Sequence, residues 1–129
     1  VSALTWIAVA LIGGLAALLR VTADSFSAHH LLRSLRSPGP GARLAAGTFA
    51  VNVTGSLLLG LVDGLALSGN ASIVIGTAGI GTYTTFSAWM LQTQVLRSDG
   101  ARLAATVLVV ASLVAGFGAV ALGRLIGAG

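Results

Sequence analysis

Four apolar runs, at about 3–22, 45–67, 73–96 and 103–126, take up most of this 129-residue chain. A helix that crosses the hydrocarbon core of a bilayer needs about 20 mostly apolar residues. Inside the core every backbone polar group must find its partner within the protein, so helices and closed barrels are the only spanning structures. Short polar turns join most of the runs. The expected fold is therefore an all-α membrane protein with four transmembrane helices, forming a single domain over 1–129. Composition supports this setting: 56% of residues are hydrophobic and 8% are charged, against roughly a quarter charged in soluble domains.

The first run, "ALTWIAVALIGGLAALLRVT", lacks a basic leader and is no more hydrophobic than the others, so it reads as a retained span rather than a signal peptide. Residues 23–43 are expected to form a polar loop, with an interfacial helix at 26–36 and a "SPGPG" breaker at 37–41. "LSGNAS" at 67–72 and "RSDGAR" at 97–102 read as turns. The chain holds no cysteine, which removes disulfides, thiol catalysis and Cys-ligated metal sites. No clustered basic face for nucleic acid is evident. No carboxylate pair or nucleophile–base set falls at membrane depth, so an enzyme is not expected.

Charge sets the orientation. The loops after the first and third runs, with the end of the first run, carry Arg20, Arg33, Arg36, Arg43, Arg97 and Arg102, whereas the opposite side carries only Arg124. The positive-inside rule places the Arg-rich loops in the cytoplasm and both termini outside.

Polar groups at depth are costly and mark candidate functional positions. In "GTFAVNVTGSLLLGLVDG", Thr48, Asn52 and Ser56 are spaced four apart, and Gly60 and Gly64 continue the row. Such a row makes one sloping stripe on a helix. It reads either as a packing seam with Asn52 as interhelical glue, or as a polar track whose amide N–H groups suit an anion. The third run contains "GIGTYTTFSAWM" at 79–90. Gly79 and Gly81 weaken the helix there, and a break at depth frees carbonyls and N–H groups that only protein or a water-filled path can satisfy. Phe86 and Trp89 lie three apart and form an aromatic ladder beside hydroxyls. Aromatic edges are positively polarised and can meet an anion, though such a ladder also serves plain packing.

"GGLAALLR" at 13–20, "GTFAVNVTGSLLLG" at 47–60 and "GIGTYTTFS" at 79–87, in this order and spacing, resemble the Fluc (CrcB) family of fluoride channels over essentially the whole chain. The resemblance implies passive fluoride export through two pores at the interface of an antiparallel, dual-topology dimer. It implies a structural sodium ion at the dimer centre, held by backbone carbonyls that map to Gly81 and Thr84. It assigns the fluoride path to Asn52, Thr48, Phe86 and Thr85, with Ser112 on a fourth-helix hydroxyl track and Trp89 at the second aromatic position. Arg20 matches the family's first-helix arginine.

Three positions depart from the family pattern: Ala88 replaces a threonine, Trp89 a second phenylalanine and Gln92 an acidic residue. A homodimer of antiparallel chains calls for weak charge bias, and this chain is strongly biased. The expected partner is therefore a separately encoded, oppositely oriented homologue, with a homodimer as the alternative, and Trp89 and Gln92 are read as relaxed positions of one pore. The rival readings are a small four-helix exporter, which would want a membrane-embedded acid where the spans offer only Asp63, and a partner subunit that does not conduct.

Overall fold

The structure, a computed structural model, describes residues 2–31 and 40–129. Among these, the regular elements are helices: α1 (Ala3–Leu31), α2 (Pro40–Gly64), the short α3 (Gly69–Ala71), a π-helical stretch (Ser72–Ile80), the single turn α4 (Gly81–Tyr83), α5 (Phe86–Ser98) and α6 (Arg102–Ala128). Three segments are long and apolar enough to cross a membrane: Ala3–Ser27, Ala45–Gly64 and Arg102–Ala128. The third run of the sequence is instead divided between the helical turns of 69–83 and α5.

The first run continues further than expected. The polar loop was placed from residue 23, but α1 stays helical to Leu31. The hydroxyls in this stretch turn back onto their own helix: Thr22 Oγ1 donates to Leu19 O (2.9 Å) and Ser25 Oγ to Val21 O (3.0 Å). Hydroxyls bonded back to the carbonyls three or four residues earlier are satisfied within a helix, at a small cost in its stability. α2 then begins at Pro40, inside the expected breaker, because proline is preorganised for a first helical turn. Of the interfacial helix expected at 26–36, residues 32–36, with Arg33 and Arg36, lie outside the described residues.

α2 and α6 run side by side in the same direction. A Cβ added at Gly60 would strike the backbone of Val120, and one at Gly64 that of Arg124. Reciprocally, Gly123 lies on Leu57 and Gly127 on Leu61. Each pair advances together along both helices, which is a parallel small-xxx-small seam on both partners. The glycine half of the stripe on α2 therefore serves packing. The buried core is built from small or slender residues, among them Ala16, Ala45, Val51, Ala78 and Ala105. Leu4, Leu11, Leu18, Val114 and Leu125 point outward, as lipid-facing residues do.

The parallel seam also sorts charge. Asp63 and Arg124 pair at one end, with Arg124 Nε 3.2 Å from Asp63 Oδ2. The starts of α2 and α6, which carry Arg43 and Arg102, lie at the other end, and Asp24, one turn beyond Arg20, packs against Gly47 near the start of α2. The turn from α5 to α6 closes as a Schellman motif: Gly100, at φ +82, donates to Arg97 O, and Ala101 N donates to Leu96 O.

Candidate functional site

The third helical segment has altered geometry. Its π-helical stretch is one residue per turn too wide, and Gly81 N bonds to Gly76 O, five residues back. Gly79 and Gly81 themselves are helical. Thr84 (ψ 161) and Thr85 (φ −149) are the extended residues, and α5 restarts at Phe86. Extended conformations suit β-branched threonines, which lose χ1 freedom in a helix.

Two side chains take over the backbone groups displaced there. Asn52, at the middle of α2, clamps Thr85 from both sides: Thr85 N donates to Asn52 Oδ1 (2.9 Å), and Asn52 Nδ2 donates to Thr85 O (3.1 Å). This pairing fixes which way the amide points and uses one of its two N–H donors. Thr85 Oγ1 in turn accepts from Ala88 N (3.2 Å), capping α5. In a continuous helix, Thr85 N would bond Gly81 O and Ala88 N would bond Thr84 O. Both donors are diverted, so the carbonyls of Gly81 and Thr84 lose their usual partners. Thr84 Oγ1 reaches Gly81 O only at 3.5 Å. Tyr83 braces the segment against α2 through its hydroxyl, 3.0 Å from Thr54 Oγ1.

A groove of about 340 Å³ opens beside the clamp. Asn52, Gly81, Thr84, Thr85, Phe86 and Trp89 all line it, together with Gly55 and Ser56. Phe86 is 70% exposed, and its ring meets Trp89 edge to face, with centroids 5.6 Å apart at 69°. The positive end of α5 points into the same region. A second groove of about 240 Å³ passes between α2, α5 and α6, where Asn52, Ser56, Trp89 and Ser112 meet Phe117. The structure thus brings together most of the residues singled out from the sequence, and Asn52 and Trp89 border both grooves. Phe117 was not singled out; its place between Gly116 and Gly118 was the available signal.

Thr48 and Gln92 lie elsewhere. Thr48, 2% exposed, lines neither groove, and its hydroxyl accepts from Gln92 Nε2 at 2.7 Å. Gln92 is itself buried. It was read as a relaxed position, but here its Nε2 joins α5 to α2 inside the chain, while its Oε1 is buried with no partner among the described residues. Arg20 also stands outside both grooves and is half-buried on α1.

Three helices long and apolar enough to span a membrane, with Asn52 of the second clamping the extended backbone of Thr85 ahead of α5, define a multi-pass membrane protein. Residues 7–124 match the profile of the family described as CrcB-like protein, Camphor Resistance (CrcB), and the chain belongs to that family. It is 42% identical over 121 residues to "Fluoride-specific ion channel FluC 2" of Mycobacterium bovis, covering 94% of this chain and 89% of that one. It is 40% identical over 112 residues to "Fluoride-specific ion channel FluC" of Novosphingobium aromaticivorans, covering 84% and 83% of the two chains. A third relative, "Fluoride-specific ion channel FluC 1" of Frankia casuarinae, is 45% identical over 86 residues, covering 60% and 67%.

Proposed function

We propose that this chain is a subunit of a passive, fluoride-selective channel in the bacterial inner membrane, which lets the cell lose fluoride down its electrochemical gradient. The observation that carries this reading is the groove where the second N–H of Asn52, the N-terminal end of α5 and the exposed ring of Phe86 converge at mid-depth. Fluoride is small and strongly hydrated, so a narrow path must replace its water with donors. Asn52 and Thr85 offer such donors, the edge of Phe86 offers partial positive charge, and Ser112 and Trp89 continue the path along the second groove. Thr48 stands off this path, bonded to Gln92 inside the chain. The names of the relatives support fluoride as the permeant ion.

The functional unit in this reading is an antiparallel dimer, with the open face around Phe86 covered by a second chain. The charge sorting between the two ends of the fold favours insertion in one orientation, with the Arg-rich end cytoplasmic. The partner is then an oppositely biased homologue, and the existence of FluC 1 and FluC 2 forms among the relatives fits a pair. The diverted donors leave the carbonyls of Gly81 and Thr84 suited to a sodium ion at the dimer centre. A bound sodium supplies fixed positive charge beside the anion path; the chain's own contribution is to hold those two carbonyls out of the helical ladder.

The test is fluoride efflux from liposomes, read with a fluoride electrode, for this chain alone and with a candidate partner. Fluoride release without chloride release in either preparation supports the reading. Its absence in both, from folded and inserted protein, removes it.

A further inference from the structure

A further groove, of about 370 Å³, lies along α5 and α6 at the Arg-rich end of the fold. It shares no lining residue with the two grooves around Asn52. Arg97, in the last turn of α5, and Arg102, in the first turn of α6, line it near the connecting turn. From Arg102 it follows α6 past Ala105 and Val109 to Val110, a span of about 12 Å. The two hydroxyls on its wall are engaged on their own helices: Thr93 Oγ1 donates to Trp89 O (2.9 Å) and Thr106 Oγ1 to Arg102 O (3.0 Å). The groove is thus cationic at one end and apolar along the rest.

The described residues leave this charge unanswered. Neither guanidinium pairs with a carboxylate among them; their ion pair, Asp63 with Arg124, is at the opposite end. Asp99, on the connecting turn, does not line the groove. The carbonyls that end α5 already have backbone donors: Asp99 N on Val95 O, Ala101 N on Leu96 O and Gly100 N on Arg97 O. Neither arginine is needed there as a cap. α6 opens after Ala101 with no side-chain cap and no acid in its first turn. A cation at that end opposes the helix dipole, and a nearby anion offsets it. Val110, 54% exposed, opens the apolar part of the groove outward.

We propose that the α5–α6 groove seats an anionic phospholipid, with Arg97 and Arg102 on the headgroup phosphate and an acyl chain along Val109 and Val110. Guanidinium forks match phosphate oxygens, and basic clefts between helices at a membrane surface take acidic headgroups. A zwitterionic headgroup carries its own cation, which two arginines repel. A soluble phosphate would use the cationic end alone, whereas a lipid uses both the charge and the apolar run that leads from it. The site goes beyond the channel reading and does not depend on it.

The chain holds no cysteine, so Val110→Cys carries a single bimane label in the groove of the reconstituted protein. Phosphatidylglycerol or phosphatidylcholine with brominated acyl chains is mixed into the bilayer, and quenching of the label gives the relative association of each lipid. Phosphatidylglycerol is expected to associate at least about fivefold more strongly, the effect of one arginine at an anionic surface. Arg97→Gln and Arg102→Gln should each remove most of that preference. Arg43→Gln removes the same charge from the same end but outside the groove, and should leave the preference unchanged. All three side chains are exposed, and backbone bonds close the α5–α6 turn, so the variants should fold, as circular dichroism can check. Equal quenching by both lipids overturns the proposal, as does a preference that survives in both groove variants. An equal loss in Arg43→Gln means diffuse surface charge and overturns the site. A label that neither lipid quenches means that a second protein chain covers the groove, and overturns it too. Inorganic phosphate at constant ionic strength should leave the preference in place; its abolition would identify a free-anion site instead. None of these readings depends on fluoride efflux.

Discussion

Asn52 and Thr85, 33 residues apart in sequence, are joined by two hydrogen bonds that read the backbone of one through the amide of the other: Thr85 N to Asn52 Oδ1 at 2.9 Å and Asn52 Nδ2 to Thr85 O at 3.1 Å. The pair gives one side chain two duties. It closes the backbone accounts of an extended residue at membrane depth, and it leaves a single N–H free to face the groove.

Asn52→Asp keeps the shape and loses the donor. A carboxylate there faces the carbonyl of Thr85 and adds negative charge beside the proposed path. Fluoride efflux should fall below detection. The denaturation midpoint in detergent should also drop, because a buried acceptor left unpaired costs about 1–3 kcal/mol. Undiminished efflux from well-folded Asn52→Asp protein would take Asn52 out of the path.

Gly55 leaves no room for a side chain: a Cβ there would strike the methyl of Thr84 and crowd the ring of Tyr83. Gly55→Ala should displace the extended segment, destabilise the chain by about 1–3 kcal/mol and impair efflux. Gly14→Ala, where a Cβ meets nothing, should leave both unchanged. Equal behaviour of the two variants in parallel melting and efflux measurements would contradict this packing.

Gly81 separates folding from assembly. A Cβ there meets only Gly76 O, at an ordinary 3.8 Å, so the chain itself tolerates one. If a second chain crosses at the freed carbonyls, Gly81→Val should preserve helicity while abolishing the dimer and its efflux. Size-exclusion chromatography with circular dichroism reads the two effects separately. A fully dimeric, active Gly81→Val protein would place the crossing elsewhere.

Thr48 and Gln92 should behave as a coupled pair. Thr48→Val leaves the Gln92 amide buried without its partner and should cost about 1–3 kcal/mol, whereas Thr48→Val with Gln92→Leu removes both polar groups and should recover much of the loss. A double-mutant cycle in detergent should give a coupling of about 1 kcal/mol or more. Strictly additive effects would mean that the 2.7 Å contact does not stabilise the fold.

Orientation is tested by single cysteines at Ser98 and Gly129 in cells. The Arg-rich end should face the cytoplasm, so a membrane-impermeant thiol reagent added outside should label position 129 and spare position 98. The anionic inner surface favours each nearby arginine by about 1 kcal/mol. Equal labelling at both positions would show dual insertion and return the homodimer as the functional unit.

The sequence by itself determined the solvent, the helical class and the family. Long apolar runs fix membrane depth whatever their neighbours are, and the spacing of "GTFAVNVTGSLLLG" and "GIGTYTTFS" carries the resemblance residue by residue. It also marked Asn52, Phe86, Trp89 and Ser112 as polar or aromatic groups at depth. What it left open was each group's partner. Only the tertiary structure could decide that Asn52 clamps Thr85, that Thr48 turns inward to Gln92, and that the indole nitrogen of Trp89 finds no acceptor among the described residues. Likewise Gly79 and Gly81 weaken the helix, yet the extended residues are Thr84 and Thr85, because Asn52 on another helix stands ready to take their backbone. The physical reason is common to all of these. Hydrophobicity acts on each residue through its solvent and is written along the chain, whereas a hydrogen bond needs donor and acceptor within about 3 Å, a distance set only when helices remote in sequence are packed together.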